Sequence, residues 1–295
     1  MRGTCARPTS ASSRVRLTFA VQPDVVGRAA LWSPNTGIID WADVCRAMAD
    51  EVRASEHGRI VTSFDVTGID VRDDRVVLTS ASGERLEARN AVLAPGLHAD
   101  RIAQLAGGER QPVIVPFRGR YLGLVGKRIR IRTNVYPVPD PAFPWLGVHF
   151  TPTVHGQVII GPNATLATKR DGYSYADVSP RDVADALSHR GLQRLLARNV
   201  RYGLTELAKD LVPALAVADL RRYVPALTRR DVVQHAHVGV RALAMTDAGM
   251  VDDFCFETVR DRVLAVRNAP SPAATSSLAI GDAVAERAQE AFRLA

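Results

Sequence analysis

The sequence predicts a mixed α/β fold, with α+β character in its middle third, in which two stretches of strand-helix rhythm flank an antiparallel sheet. Three observations carry this prediction. Apolar residues recur at helical spacing after Asp40, at Trp41, Val44, Cys45, Met48 and Val52. A short apolar run, Ala91 to Ala94, enters a Pro95-Gly96 turn and then a helix-like stretch from Ala99 to Leu105, the strand-turn-helix order of α/β proteins. Between about Gln111 and Tyr223 that rhythm is lost. There Val113 to Val125 alternates apolar and polar residues, and Pro137, Pro139, Pro141 and Pro144 crowd one loop.

Taken in order, each element has a local cause. Asp40 is a good helix N-cap, with Asp43 three residues on, and the helix that follows ends near Gly58. Arg59 to Phe64, Val66 to Val71 and Arg75 to Thr79 are strand candidates, with Asp73-Asp74 as the turn between the last two. In the middle region Trp145 to Phe150 and Gln157 to Ile160 read as further strands. Ser179 precedes Pro180, a helix start with proline at the first helical position, and two polar helices fill 180 to 209. The last part reads as a strand over Val232 to Ala244, a turn at Gly249, a strand near Val263 to Val266, a loop from Asn268 to Pro272 and a helix to about Phe292.

Composition excludes several functional classes. The chain has 295 residues, 46% hydrophobic and 23% charged, the proportions of a globular protein of one or two domains. Its longest apolar stretch, Leu211 to Ala218, contains Pro213 and stops at Asp219, short of the ~20 residues that span a bilayer. Cys5, Cys45 and Cys255 are widely spaced and form no CxxC pair, so neither a disulfide framework nor a zinc module is indicated. His235 and His237 share one strand face, but no third ligand stands at a recognisable spacing and no metal is expected. The net charge of +7 is uneven: residues 1 to 30 hold +4, leaving +3 for the rest. With no basic run interleaved with aromatics, nucleic acid is not an expected partner. The expected compartment is the cytoplasm, or the periphery of a membrane. Residues 1 to 22 carry four arginines and no acid, and are expected to lie outside the fold as a disordered leader.

Eight segments recur in a familiar order: Ser33-Pro34-Asn35-Thr36-Gly37-Ile38, Val115-Pro116-Phe117-Arg118-Gly119, Tyr136-Pro137-Val138-Pro139-Asp140-Pro141, Leu146-Gly147-Val148-His149-Phe150, Gly161-Pro162-Asn163-Ala164, Gly239-Val240-Arg241-Ala242, Asp252-Asp253-Phe254 and the loop Asn268 to Ser277. From about Ala30 to the C-terminus the chain resembles the L-2-hydroxyglutarate dehydrogenase/oxidase family of the D-amino-acid-oxidase-like (DAO) flavoprotein superfamily. The resemblance implies a discontinuous FAD-binding domain, 23 to 111 and 224 to 295, around a substrate domain at 112 to 223. It implies FAD as cofactor and oxidation of L-2-hydroxyglutarate, or a similar 2-hydroxy acid, to the 2-oxo acid by hydride transfer to the flavin. Oxygen or a quinone pool would then take the electrons.

The same resemblance implies site residues. Val66 would present its backbone to the adenine end, and Ala94, Pro95, Gly96 and Leu97 would pass near the pyrophosphate. Ser271, Pro272, Ala273, Ala274, Thr275 and Ser276 would form a helix mouth at the isoalloxazine, where small side chains and the helix dipole suit an anionic ring edge. A dicarboxylate substrate needs fixed cations of bidentate geometry; Arg241 and Arg118 are the candidates. His149 is the candidate base for the substrate hydroxyl.

Departures from the family pattern set the limits of this expectation. Leu243 stands where the family has a glutamine after Gly-Val-Arg-Ala. No GxGxxG turn occurs anywhere in the sequence, so the first βαβ unit of the FAD domain is expected to be missing from the chain as it stands. The expected activity therefore belongs to a full-length form. The alternative is a truncated, non-catalytic remnant that cannot hold FAD; an amino-acid oxidase relative is a third reading.

Overall fold

The computed structural model describes residues 22–27, 29–138 and 148–294, with the side chain of His235 also outside the described set. The leader up to Val21, Pro139, Pro141 and Pro144 of the proline-rich loop, and Trp145 to Gly147 of an expected strand therefore lie outside it. The described elements are α1 (Trp41–Ala54), β1 (Val66–Val71), β2 (Val76–Ser80), β3 (Arg85–Ala88), β4 (Ala91–Leu93), α2 (Ala99–Leu105), β5 (Val113–Leu124), β6 (His149–Pro152), β7 (Val158–Gly161), β8 (Thr165–Leu166), α3 (Pro180–Ser188), α4 (Arg190–Arg198), α5 (Val200–Leu211), α6 (Pro213–Leu220), β9 (Val232–Thr246), β10 (Gly249–Met250), β11 (Cys255–Val259), β12 (Val263–Asn268) and α7 (Ser277–Phe292). They fall into two compact units. The first draws on residues 1–44, 119–165 and 201–239, the second on 45–118, 166–200 and 240–295.

In the first unit the far end of β5 pairs antiparallel with β7, and β7 with β6. Side chains alternate across such strands, so Leu122, Phe150 and Ile160 share one face. There they meet Val217 and Leu220 of α6, with Val224, Leu227 and Val232, in the unit's main core. Residue 22 belongs to this fold rather than to a leader. Gln22 is buried, its amide donates to the Thr133 carbonyl at 3.1 Å, and its Oε1 accepts from the Arg132 N–H at 3.0 Å. Val25 then enters the core.

One polar clamp of this unit is sensitive to acid. Asp231 accepts from Arg128 and from the Thr228 backbone and hydroxyl, closing a capping box. The Arg128 guanidinium, helped by Thr228, lowers the Asp231 carboxyl to about 2. A group depressed on folding stabilises above its unfolded pKa, near 3.9 for Asp, and that stability is lost as pH falls toward the folded value. Asp231→Asn is therefore expected to lower urea resistance at pH 7 and to flatten its fall between about pH 4 and 2. Denaturation series at several pH values read this directly; a slope equal to wild type would show that the clamp contributes nothing.

In the second unit β1, β2 and β3 form an antiparallel sheet, while β12 lies between antiparallel β11 and parallel β4. All six residues of β12 are buried, and α2 packs against both β12 and β1. Val71, Val76, Leu93, Ala103, Val259 and Val263 form the core between them. A second cluster joins Val115 and Met245 to Ala186 and Leu192 of α3 and α4. A third joins Ile114 and Ala244 to Ala99 of α2.

Several expectations are corrected. Arg59 to Phe64 forms no strand: Ser63 takes the left-handed conformation, φ 57°, and this apolar run has no partner strand. Residues 180–209 hold three helices rather than two, because the extended backbone at His189 and the break at Asn199 end each after nine residues. The α1 helix follows its cap, with Asp40 Oδ1 accepting the Ala42 N–H at 2.8 Å, yet buries none of its residues. The strand expected over Trp145 to Phe150 runs from His149 to Pro152 in the described residues. Among the described residues no helix is long and apolar enough to cross a membrane.

Candidate active site

His149 opens β6 and points away from the core face that its neighbour Phe150 enters. Its Nδ1 lies 2.8 Å from the hydroxyl of Thr151, the next residue on that face. Tyr136 stacks on the imidazole, ring centroids 4.5 Å apart, and Tyr121 meets it edge-on at 6.2 Å. Tyr121 in turn meets His237 edge-on at 5.6 Å. Room for this cluster depends on Gly161, which pairs with His149 across the ladder; a Cβ there would stand 3.0 Å from the Tyr121 ring. Sequence reasoning missed Tyr121, Tyr136 and Thr151. Thr151 is legible as the next residue on the same strand face, whereas the tyrosines reach His149 from elsewhere in the unit.

A cavity of about 230 Å³ in the same unit is lined by Arg120, Lys209 and Arg222 but equally by Glu206, Asp210 and Asp219. Lys209 lies 3.2 Å from Glu206 and 2.5 Å from Asp219, and Arg120 lies 3.5 Å from Asp210. Three cations thus face three acids, with Arg222 in no ion pair among the described residues.

The two candidate arginines belong to the second unit, on neighbouring strands β5 and β9. Alternation separates them. Ile114 of β5 packs with Ala242 and Ala244 of β9, whereas Val115 packs with Met245. Arg118, in step with Ile114, and Arg241, in step with Met245, consequently face opposite sides. Arg241 is half-buried and shares its side with Leu243. Arg118 is 1% exposed; it donates to the Ser174 carbonyl at 2.6 Å, and its guanidinium lies 4.1 Å from the Tyr175 ring centroid. So placed, Arg118 donates through Nη1 to the loop around Ser174 and Tyr175, while its Nε and Nη2 are buried with no hydrogen-bond partner among the described residues.

The expected cofactor segments are all in the second unit and are open to solvent. Val66 begins β1 and is half-buried. Ala94 and Gly96 are exposed beside Pro95 and Leu97, and Gly96 takes φ 55° with nothing within 4 Å of where a Cβ would stand. Ser271, Pro272, Ala274, Thr275 and Ser276 are exposed around half-buried Ala273, and Ser276 caps α7 without a side-chain hydrogen bond. Small side chains and exposed backbone at both turns fit a flavin nucleotide that is held by N–H groups.

Comparison with known proteins agrees with this architecture. The family model described as "DAO: FAD dependent oxidoreductase" matches residues 11–287. The mitochondrial L-2-hydroxyglutarate dehydrogenase of Caenorhabditis elegans is 44% identical over 284 residues, covering 93% of this chain and 65% of that protein. The human enzyme of that name is 39% identical, covering 92% and 62%, and the L-2-hydroxyglutarate dehydrogenase of Escherichia coli K12 is 37% identical, covering 91% and 63%. The chain thus spans just under two thirds of the length of these relatives. Among solved structures, FAD-bound L-alpha-glycerophosphate oxidase from Mycoplasma pneumoniae superposes with a TM-score of 0.61 at 16% identity, covering 94% of this chain and 63% of that one. Glycine oxidase from Bacillus cereus gives 0.59 at 12%, covering 94% and 64%. With the family model matching residues 11–287 and a relative 44% identical over 93% of the chain, the chain belongs to the DAO family of FAD-dependent oxidoreductases.

Proposed function

We propose that the protein acts in the FAD-dependent oxidation of L-2-hydroxyglutarate, or a closely similar 2-hydroxy acid, to the 2-oxo acid. The observation that carries this reading is His149, oriented by Thr151 and stacked by Tyr136, in a chain 44% identical to a protein named for that activity. FAD, when bound, supplies the acceptor for the C2 hydride; the residues to hold it are Ala94 to Leu97 and Ser271 to Ser276, with Val66 toward the adenine. In the tautomer whose Nδ1–H is donated to the Thr151 hydroxyl, the basic nitrogen of the His149 ring is Nε2. That nitrogen takes the C2 hydroxyl proton as hydride leaves. Arg241 binds a substrate carboxylate, and Leu243 on the same strand face gives that carboxylate an apolar neighbour. Arg118 acts at one remove, by holding the Ser174–Tyr175 loop. Oxygen or a quinone would be the final electron acceptor.

Arg241→Ala tests the carboxylate role. It is expected to raise KM for L-2-hydroxyglutarate by an amount equivalent to about 2–5 kcal/mol, with kcat changed less. Steady-state kinetics of the FAD-loaded protein measure this. An unchanged KM would remove Arg241 from the site.

A further inference from the structure

The second unit contains a larger cavity, about 500 Å³, whose lining takes no part in the chemistry proposed above. Arg110, Arg181 and Arg190 line it from three different elements: the loop before β5, the first turn of α3 and the first residue of α4. None of the three is ion-paired to a described residue. The cavity's other arginines are engaged, Arg170 with Asp100 and Arg101 with Asp182 and Asp185. Asp247 is the remaining acid of the lining, and its side chain is about half exposed.

A second, independent observation lies at its wall. The side chain of His189 is 8% exposed, and neither ring nitrogen has a hydrogen-bond partner among the described residues; the nearest carboxylate, Asp247, is 3.9 Å away. His189 is also the N-cap of α4, a nine-residue helix, and makes no side-chain cap bond there. A buried imidazole without a partner is costly, and a helix N-terminus favours negative charge. Three guanidinium groups without an ion pair add charged donors of the geometry that oxyanions take.

We propose that this cavity is a binding site for a compact oxyanion with two or more negative charges, either a phosphate group or a dicarboxylate. The ligand accepts from Arg110, Arg181 and Arg190, and a ring N–H of His189 donates to it. Isothermal titration calorimetry of the protein with inorganic phosphate and with succinate, at constant ionic strength, tests the site and separates the two sources. Saturable binding of one of them in the millimolar range or tighter is expected. Arg181→Gln/Arg190→Gln changes only exposed side chains and is expected to weaken that binding at least about tenfold, whereas Asp247→Asn strengthens it. Absence of saturable binding by both anions, or equal affinity in wild type and the double variant, would overturn the proposal.

Discussion

Replacing His149 by asparagine is expected to lower kcat for L-2-hydroxyglutarate oxidation by about 10²–10⁴-fold, the contribution typical of a positioned proton acceptor. Asparagine keeps a polar side chain on the same strand face but has no basic nitrogen. Two readouts separate lost chemistry from lost structure. The pH profile of kcat should lose its histidine-controlled limb, and KM should change far less than kcat. Thr151→Val removes the group 2.8 Å from Nδ1 and should give a smaller loss, restored by Thr151→Ser, because it disturbs only the tautomer and the ring's aim. A His149→Asn protein with wild-type kcat would assign the imidazole to structure.

Asp100→Ala should have the largest effect on stability. Asp100 and Arg170 are 3% and 4% exposed at their side chains, and a second pair of atoms in this ion pair is 2.8 Å apart. The carboxylate also accepts from the backbone N–H of Ile114 at 3.0 Å and of Arg101 at 2.8 Å, tying α2 to the start of β5. Burial alone would raise the Asp100 pKa; the Arg170 guanidinium and these two N–H donors outweigh burial and hold it below the ordinary range. Removing the carboxylate strands a buried guanidinium, a change that costs about 3–5 kcal/mol. Urea denaturation, with the second unit's transition followed separately, measures this. Asp100→Leu/Arg170→Met, which removes both charges and keeps the volume, should recover much of the loss. Equal destabilisation in the single and double variants would show that the pair's charges are not the cause.

Elements with strong local causes were legible in the sequence. Ser179 accepts from the Asp182 N–H at 3.2 Å ahead of Pro180, Asp40 caps α1, and the Ala99–Leu105 helix has the bounds expected of it. Elements made by partners were not. Arg85–Ala88 has helix-forming residues but is a strand because β2 pairs with it in a hairpin. Arg59 to Phe64 has a strand's composition and no neighbour to pair with. At the candidate site, His149 and Arg241 stand out by residue type within family motifs. Arg118 stands out equally, yet only the packing of Ile114, Ala242 and Ala244 reveals that it faces away from Arg241. The buried charges Asp100, Arg170 and Asp182 read in the sequence as ordinary surface residues, because nothing local distinguishes a paired buried charge from a solvated one. The openness of the turns at 94–97 and 271–276 follows from their small residues, prolines and glycine. The imidazole's stacking on Tyr136 was not legible, since it depends on where the chain brings a distant tyrosine.

In the proposed function His149 and Arg241 serve the oxidation of a dicarboxylic 2-hydroxy acid. The substrate profile of the FAD-loaded protein tests it most directly, with an artificial electron acceptor and with the product quantified. The highest kcat/KM is expected for L-2-hydroxyglutarate, with one 2-oxoglutarate formed per electron pair transferred. An FAD-loaded protein that leaves L-2-hydroxyglutarate untouched, or that prefers an amino acid, would contradict it.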